Sequence, residues 1–196
     1  DDHLPHFPNR LVDYHMHSTF SSDGQDSIEE MCRRSLEVGL VEIGFCEHAQ
    51  FEPQDAMRDF LDYKRYSESI AQARAQYEGK LTIRKGIEVG YNHIFETEIR
   101  KWLVGKDFDF VVGSIHYIDD CAFHPSGIQG MSPDVAIQKY YAEIRRAVET
   151  ELFNVIGHFD IIRGYIPRSE NNSSSTVLET IDSAFQHMIS KGMYLE

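Results

Sequence analysis

Apolar and polar positions along this chain switch between two periods, and the switches mark its elements. Short apolar runs at 11–14, 41–46, 81–89, 109–115 and 153–156 read as buried strands. Between the first two, Ile28, Met31, Leu36 and Val38 make a helical stripe. Asp26 or Ser27 can cap it, Glu29 and Glu30 sit in its first turn, and Gly39 ends it. Phe60, Tyr63, Tyr66, Ile70, Ala73 and Tyr77 predict an amphipathic helix over 59–77, closed by Gly79. Further helices are expected over 94–103, from Pro133 to Thr150, and over 177–190 before Gly192. The polar segment 167–175 reads as a mobile loop within one domain, because the strand–helix rhythm resumes after it. Residues 193–196 open a sixth strand.

Strands alternating with helices call for parallel pairing with helical crossovers, in an open doubly wound sheet or a barrel. Each strand here delivers polar residues at its C-terminal end: His15 and His17, Glu47 and His48, Glu88, His116, and His158. An open sheet gathers ligand residues at one switch point, whereas a closed barrel brings every strand end around one axis. The expected fold is therefore an α/β, TIM-like barrel. Residues 1–10, with two prolines and no periodicity, read as a tail ahead of one domain over 11–196, and His3 and His6 belong to that tail.

His15 and His17 are two apart, so in an extended strand their imidazoles share a face. Taken alone the pair is weak evidence, since polar loop histidines are common. Taken with Glu88, His116 and His158 at successive strand ends, it describes a ring of nitrogen and oxygen donors suited to Zn, Fe or Mn. Several donors in one ring point to more than one ion, with Glu88 able to bridge two through its two oxygens. Such a site suits metal-assisted hydrolysis. His93, His124 and His187, away from strand ends or on a helix, read as structural or exposed. Ser114 precedes His116 by two residues but lacks the Gly-x-Ser-x-Gly turn of a strained serine nucleophile, and no phosphate-binding glycine loop occurs.

Net charge changes the list of partners. With 19 Lys and Arg against 32 Asp and Glu, the formal charge is −13, which disfavours a nucleic-acid backbone. An anionic small substrate would need local cations, which bound divalent metals supply. Three cysteines, Cys32, Cys46 and Cys121, form no close pair and read as reduced, in a cytoplasmic protein. No apolar run reaches transmembrane length and no signal peptide is evident, so no membrane partner is expected.

At this point the motifs resemble a known family. In order they are Asp-Tyr-His15-Met-His17-Ser, Ser-Ser-Asp23-Gly, Phe-Cys-Glu-His48, Lys-Gly-Ile-Glu88-Val-Gly-Tyr, Phe-Asp-Phe-Val-Val-Gly-Ser-Ile-His116-Tyr-Ile-Asp, and Ile-Gly-His158-Phe-Asp160. The chain resembles the polymerase and histidinol phosphatase (PHP) superfamily, most of all its monofunctional histidinol-phosphate phosphatases, from residue 11 onward. The resemblance implies a distorted (β/α)7 barrel with up to three divalent metals and a small phosphorylated substrate. It implies that His15, His17 and Glu88 hold one metal, that Glu88, His116 and His158 hold a second, and that Asp23 and His48 help hold a third. Arg163 could bind phosphate bidentately, or be a surface arginine. Asp160 could orient His158. With Glu88 it completes the expected catalytic pair.

One departure stands out. The family carries a late Gly-x-Asp-x-His motif, and this sequence stops at Glu196 before it. The expectation is a member truncated at its C-terminal end, with the second metal site surviving best. An incomplete barrel also leaves strand edges unpaired, which favours a homo-oligomer. Two other readings compete with a histidinol-phosphate phosphomonoesterase of histidine biosynthesis. One is a PHP phosphoesterase acting on nucleotides or nucleic-acid ends, and the other is an inactive metal-binding fragment.

Overall fold

A computed structural model of the chain describes residues 10–118, 121–122 (backbone only), 130–166 and 175–196. His3, His6, His124 and nearly all of the polar 167–175 segment lie outside the described residues.

Six strands form one sheet in the order β1 (Leu11–Met16), β2 (Leu40–Ala49), β3 (Thr82–Gly90), β4 (Phe110–Ser114), β7 (Val155–Ile156) and β8 (Tyr194–Leu195), and every pair is parallel. The crossovers carry α1 (Ile28–Glu37), α2 (Tyr63–Gln76), α3 (Glu96–Leu103), α4 (Pro133–Glu149), the short α5 (Ile162–Tyr165) and α6 (Ser175–Lys191). The sheet follows chain order, as a barrel wall does. Its end strands, β1 and β8, are not paired with each other but flank one open hollow of about 690 Å³ lined by Tyr14, Phe110, Val112, Val155 and Leu195.

The caps account for several element boundaries. Ser27 accepts from the Glu30 backbone N–H at the start of α1, with Glu29 and Glu30 in the first turn. Helix α2 begins at Tyr63 and not at 59, because Asp62 takes the cap and Asp59 stands at φ 58°, outside helical backbone. Strand β2 runs on to Ala49, beyond the apolar run that announced it. Within the expected loop after His116, β5 (Tyr117–Ile118) and β6 (Cys121–Ala122) pair as a small antiparallel ribbon.

Alternation along the central strands separates two environments. Ile43, Phe45 and Ile83 point outward into a core with Ile28, Cys32, Tyr66 and Ile70 of α1 and α2. Ile87 and Val89 point into a second core with Ile137, Tyr140, Ile144 and Val148 of α4 and Val177, Ala184 and Met188 of α6. The opposite face lines the concave side. There Gly44 and Gly86 leave room for the Phe110 ring, since a Cβ on Gly86 would meet it at 2.3 Å. Tyr14 stands edge-on to the same ring at 6.1 Å. This layer lies two residues below Glu88 on β3 and forms a floor for the strand-end histidines. Cys32 and Cys46 are buried free thiols, and burial pushes the Cys32 thiol up to about 12. Among the described residues no helix is long and apolar enough to cross a membrane.

Candidate metal centre

Register brings the donors together. His48 pairs with Glu88 across β2 and β3, and Glu88 with Val112 across β3 and β4. His15 and His17 arrive from the end of β1, His116 just beyond β4, and His158 just beyond β7.

Glu88 is the hub. It is 1% exposed, and its two oxygens divide the histidines between them. Oε2 faces His15 Nε2 at 3.2 Å, His17 Nε2 at 3.6 Å and His48 Nδ1 at 3.0 Å. Oε1 faces His116 Nε2 and His158 Nε2, each at 3.2 Å, and these two nitrogens are themselves 3.2 Å apart. On the outer side, Asp23 Oδ2 lies 3.2 Å from His48 Nε2. Among the described residues three donor groups are close enough to hold an ion: His15, His17 and Glu88; His17, Asp23 and His48; His48, Glu88 and His116.

The donors fit divalent metals chemically. Buried polar atoms are ordinarily hydrogen-bonded. Here His48 Nδ1, Glu88 Oε2 and His158 Nδ1 are buried without a well-aligned hydrogen bond among the described residues. Imidazole nitrogens crowded on one carboxylate cannot all be satisfied by protons, because facing ring nitrogens share at most one. Cations in their midst satisfy the same lone pairs.

The electrostatics run the same way. Burial opposes charge on Glu88, but hydrogen bonding and attraction from His116, His15 and His158 hold its carboxyl well below the usual range. Burial likewise disfavours protonated His15, yet its hydrogen bonds to Glu196 and Glu88 win and carry it up to about 10. His17 goes the other way, down to about 4, through burial and the neighbouring His48 charge.

Two residues of the site escape the sequence reading. Glu196 holds His15 Nδ1 at 2.7 Å, and nothing in the sequence pattern marks it. Gln50 places its amide nitrogen against His116 Nδ1, and its spacing from His48, two residues along an extended run, was the signal that could have found it. Glu47 stands beside His48 at the end of β2, but adjacent strand residues face opposite sides. Its fully buried carboxylate turns away from the histidines and accepts from Ser18 Oγ and Ser21 Oγ, both at 2.6 Å, and from the Ser18 N–H at 3.1 Å. Ser21 Oγ in turn accepts from the His48 N–H at 2.9 Å. This latch fixes the loop that carries Asp23.

His158 has φ 29°, rare for a residue with a side chain, and the Tyr140 hydroxyl donates to its carbonyl at 2.9 Å. Such backbone persists where surrounding contacts over-determine it. Asp160 does not orient the His158 ring: it is exposed, and His158 Nδ1 has no hydrogen-bond partner among the described residues. The turn that carries both residues directs Asp160 to solvent. Arg163, on α5, is half-buried and hydrogen-bonds Tyr141. His93 is structural as expected, since Glu143 accepts from its backbone N–H at 2.6 Å and meets its Nδ1 at 2.9 Å. Beside His48, His116 and His158 a cavity of about 330 Å³ opens, lined also by Asp55, Met57, Ile161 and Tyr165.

Comparison with known proteins agrees with this geometry. The family model described as PHP domain matches residues 13–196. The chain is 28% identical over 166 residues to a histidinol-phosphatase of Lactococcus lactis, covering 83% of this chain and 61% of that protein. It thus spans about six-tenths of that relative's length. A solved histidinol phosphate phosphatase of Lactococcus lactis, complexed with zinc, L-histidinol and phosphate, superposes with a TM-score of 0.83 at 27% identity, over 94% of this chain and 71% of that one. A putative histidinol phosphatase of Listeria monocytogenes shares the fold with a TM-score of 0.81 at 19% identity, over 94% of this chain and 81% of that one. With the PHP model matched from Asp13 to the last residue and the strand-end donors gathered on Glu88, the chain belongs to the PHP domain family.

Proposed function

We propose that the chain carries the metal-holding face of a phosphomonoesterase that hydrolyses histidinol phosphate to histidinol and phosphate. The observation that carries this reading is the convergence of His15, His17, His48, His116 and His158 on the single buried carboxylate of Glu88. The likeness to a solved phosphatase complexed with zinc, L-histidinol and phosphate supports the same chemistry.

His15, His17 and Glu88 would hold one divalent ion, and Glu88, His116 and His158 a second. Asp23 and His48 would help hold a third, with Zn, Fe or Mn suited to these donors. Bound there, such ions acidify water and neutralise charge on phosphoryl oxygens. The chain's own residues supply the rest. Glu88, kept anionic by its histidines, would contribute to holding both of the first two ions. Arg163, on the short helix after His158, offers a planar cation for a phosphoryl group once it leaves Tyr141. The cavity beside His116 and His158 has room for the organic part of a small substrate. The formal charge of −13 disfavours a polyanionic nucleic-acid substrate. Buried free thiols at Cys32 and Cys46 suit a reducing compartment such as the cytoplasm.

The test is phosphate release by the protein loaded in turn with zinc, iron(II) or manganese, with histidinol phosphate compared against nucleoside monophosphates. Preference for histidinol phosphate, with kcat/KM lowered in Arg163→Met, supports the reading. Preference for nucleotides overturns the substrate assignment.

A further inference from the structure

Gln50 lies just outside the ring of histidines. It is two residues past His48, on the same face of an extended run, and is 6% exposed. Its amide nitrogen stands against His116 Nδ1. Its amide oxygen is buried without a hydrogen-bond partner among the described residues. That oxygen occupies space only a glycine leaves free, because a Cβ on Gly90 would lie 1.8 Å from it. Gly90 therefore admits the amide to its position beside the site. A buried amide oxygen without a donor is unfavourable, so its presence here calls for a state in which it is used.

The imidazole supplies that state. A neutral ring carries one proton. With the amide nitrogen facing Nδ1, that proton sits on Nε2 of His116, which points at Glu88 Oε1 and at His158 Nε2, each 3.2 Å away. A ring that ligates a metal through Nε2 must instead carry its proton on Nδ1, and that N–H needs an acceptor. Half a turn of the Gln50 amide presents its oxygen there. The donor becomes an acceptor, and the orphaned oxygen gains its partner.

We propose that Gln50 is a positioning residue that selects the tautomer of His116. Its amide donates to Nδ1 in the metal-free site and accepts from Nδ1–H when Nε2 holds a metal, so the amide turn and metal loading are coupled. This rests on the reading of the Glu88 cluster as a metal site, and deepens it.

The experiment measures zinc affinity of the purified chain by competition with a chromophoric chelator, alongside ¹⁵N NMR of its histidine rings. Gln50→Leu keeps the volume and removes the amide, and is expected to weaken zinc binding by about 10- to 100-fold. Gln50→Glu, which can only accept, is expected to bind zinc more tightly than Gln50→Leu. In the metal-free wild-type chain the His116 proton should sit on Nε2, and Gln50→Leu should lose that preference, a change that removing a merely space-filling Gln50 would not cause. Equal zinc affinity in wild type and Gln50→Leu, or an Nδ1–H tautomer already present without metal, overturns the role of Gln50 while the metal site stands. A wild-type chain that takes up no zinc overturns both.

Discussion

Glu196 grips His15 Nδ1 with both carboxylate oxygens, at 2.7 and 2.8 Å, and so turns His15 Nε2 toward Glu88 Oε2 at 3.2 Å. A carboxylate behind a ligating histidine fixes the ring and strengthens it as a donor. It also joins the two end strands of the sheet, since β1 delivers His15 and β8 runs into Glu196.

This contact has a pH signature in the metal-free protein. Despite burial, the hydrogen bonds to Glu196 and Glu88 raise His15 from 6.5 to about 10. A raised folded-state pKa contributes stability that is fully present below 6.5 and is lost as pH rises through about 10. The melting temperature of the chelator-treated chain should therefore fall across that interval. In Glu196→Gln the fall should be shallower, because the neutral amide no longer favours the imidazolium. Thermal unfolding followed by circular dichroism across the interval checks both.

Glu47 should matter for stability although it holds no metal. Burial pushes its carboxyl up, and the donors at Ser18 and Ser21 pull it back. In Glu47→Ala the Ser18 N–H and both hydroxyls lose a buried acceptor, at a cost of at least about 2 kcal/mol. Glu47→Gln, which keeps one acceptor oxygen, should cost less. Because Ser21 also receives the His48 N–H, the alanine variant should bind metal more weakly at the His17, Asp23 and His48 group. Denaturant unfolding and zinc titration of the two variants measure these effects.

The floor beneath the site is equally specific. A methyl group on Gly86 would press on the Phe110 ring at 2.3 Å, and the ring is also confined by Gly44. Gly86→Ala should destabilise the chain by about 1–3 kcal/mol through overpacking. Gly86→Ala combined with Phe110→Leu, which frees the space, should cost less than the two single changes added together. Chemical denaturation of the three variants decides it.

Much of this architecture is legible in the sequence because its signals are local. The strand-end positions of His15, His17, His48, Glu88, His116 and His158 follow from apolar runs that stop at polar residues, and parallel order follows from the strand–helix rhythm. What stayed hidden depends on contacts distant along the chain. Glu196 reaches His15 across 181 residues, and no local pattern records that. Glu47 is hidden for a simpler reason: it neighbours His48 at the strand end, and alternation sends neighbours to opposite faces, where its serine partners come from a loop 26 and 29 residues away. Asp160 followed His158 by two residues, but the left-handed backbone at His158 breaks the regular spacing on which such a reading depends. The start of α2 was read early because the aromatic stripe begins before the cap at Asp62.

The central claim is that Glu88 organises a cluster of divalent ions. Its most direct test is metal content per chain, by elemental mass spectrometry, after zinc loading and desalting of wild type and Glu88→Gln. The expected result is more than one zinc per wild-type chain and a marked loss in Glu88→Gln, whose neutral amide cannot balance the ions or bridge them with two anionic oxygens. A wild-type chain that retains no zinc, or a Glu88→Gln chain that retains as much as wild type, would contradict it.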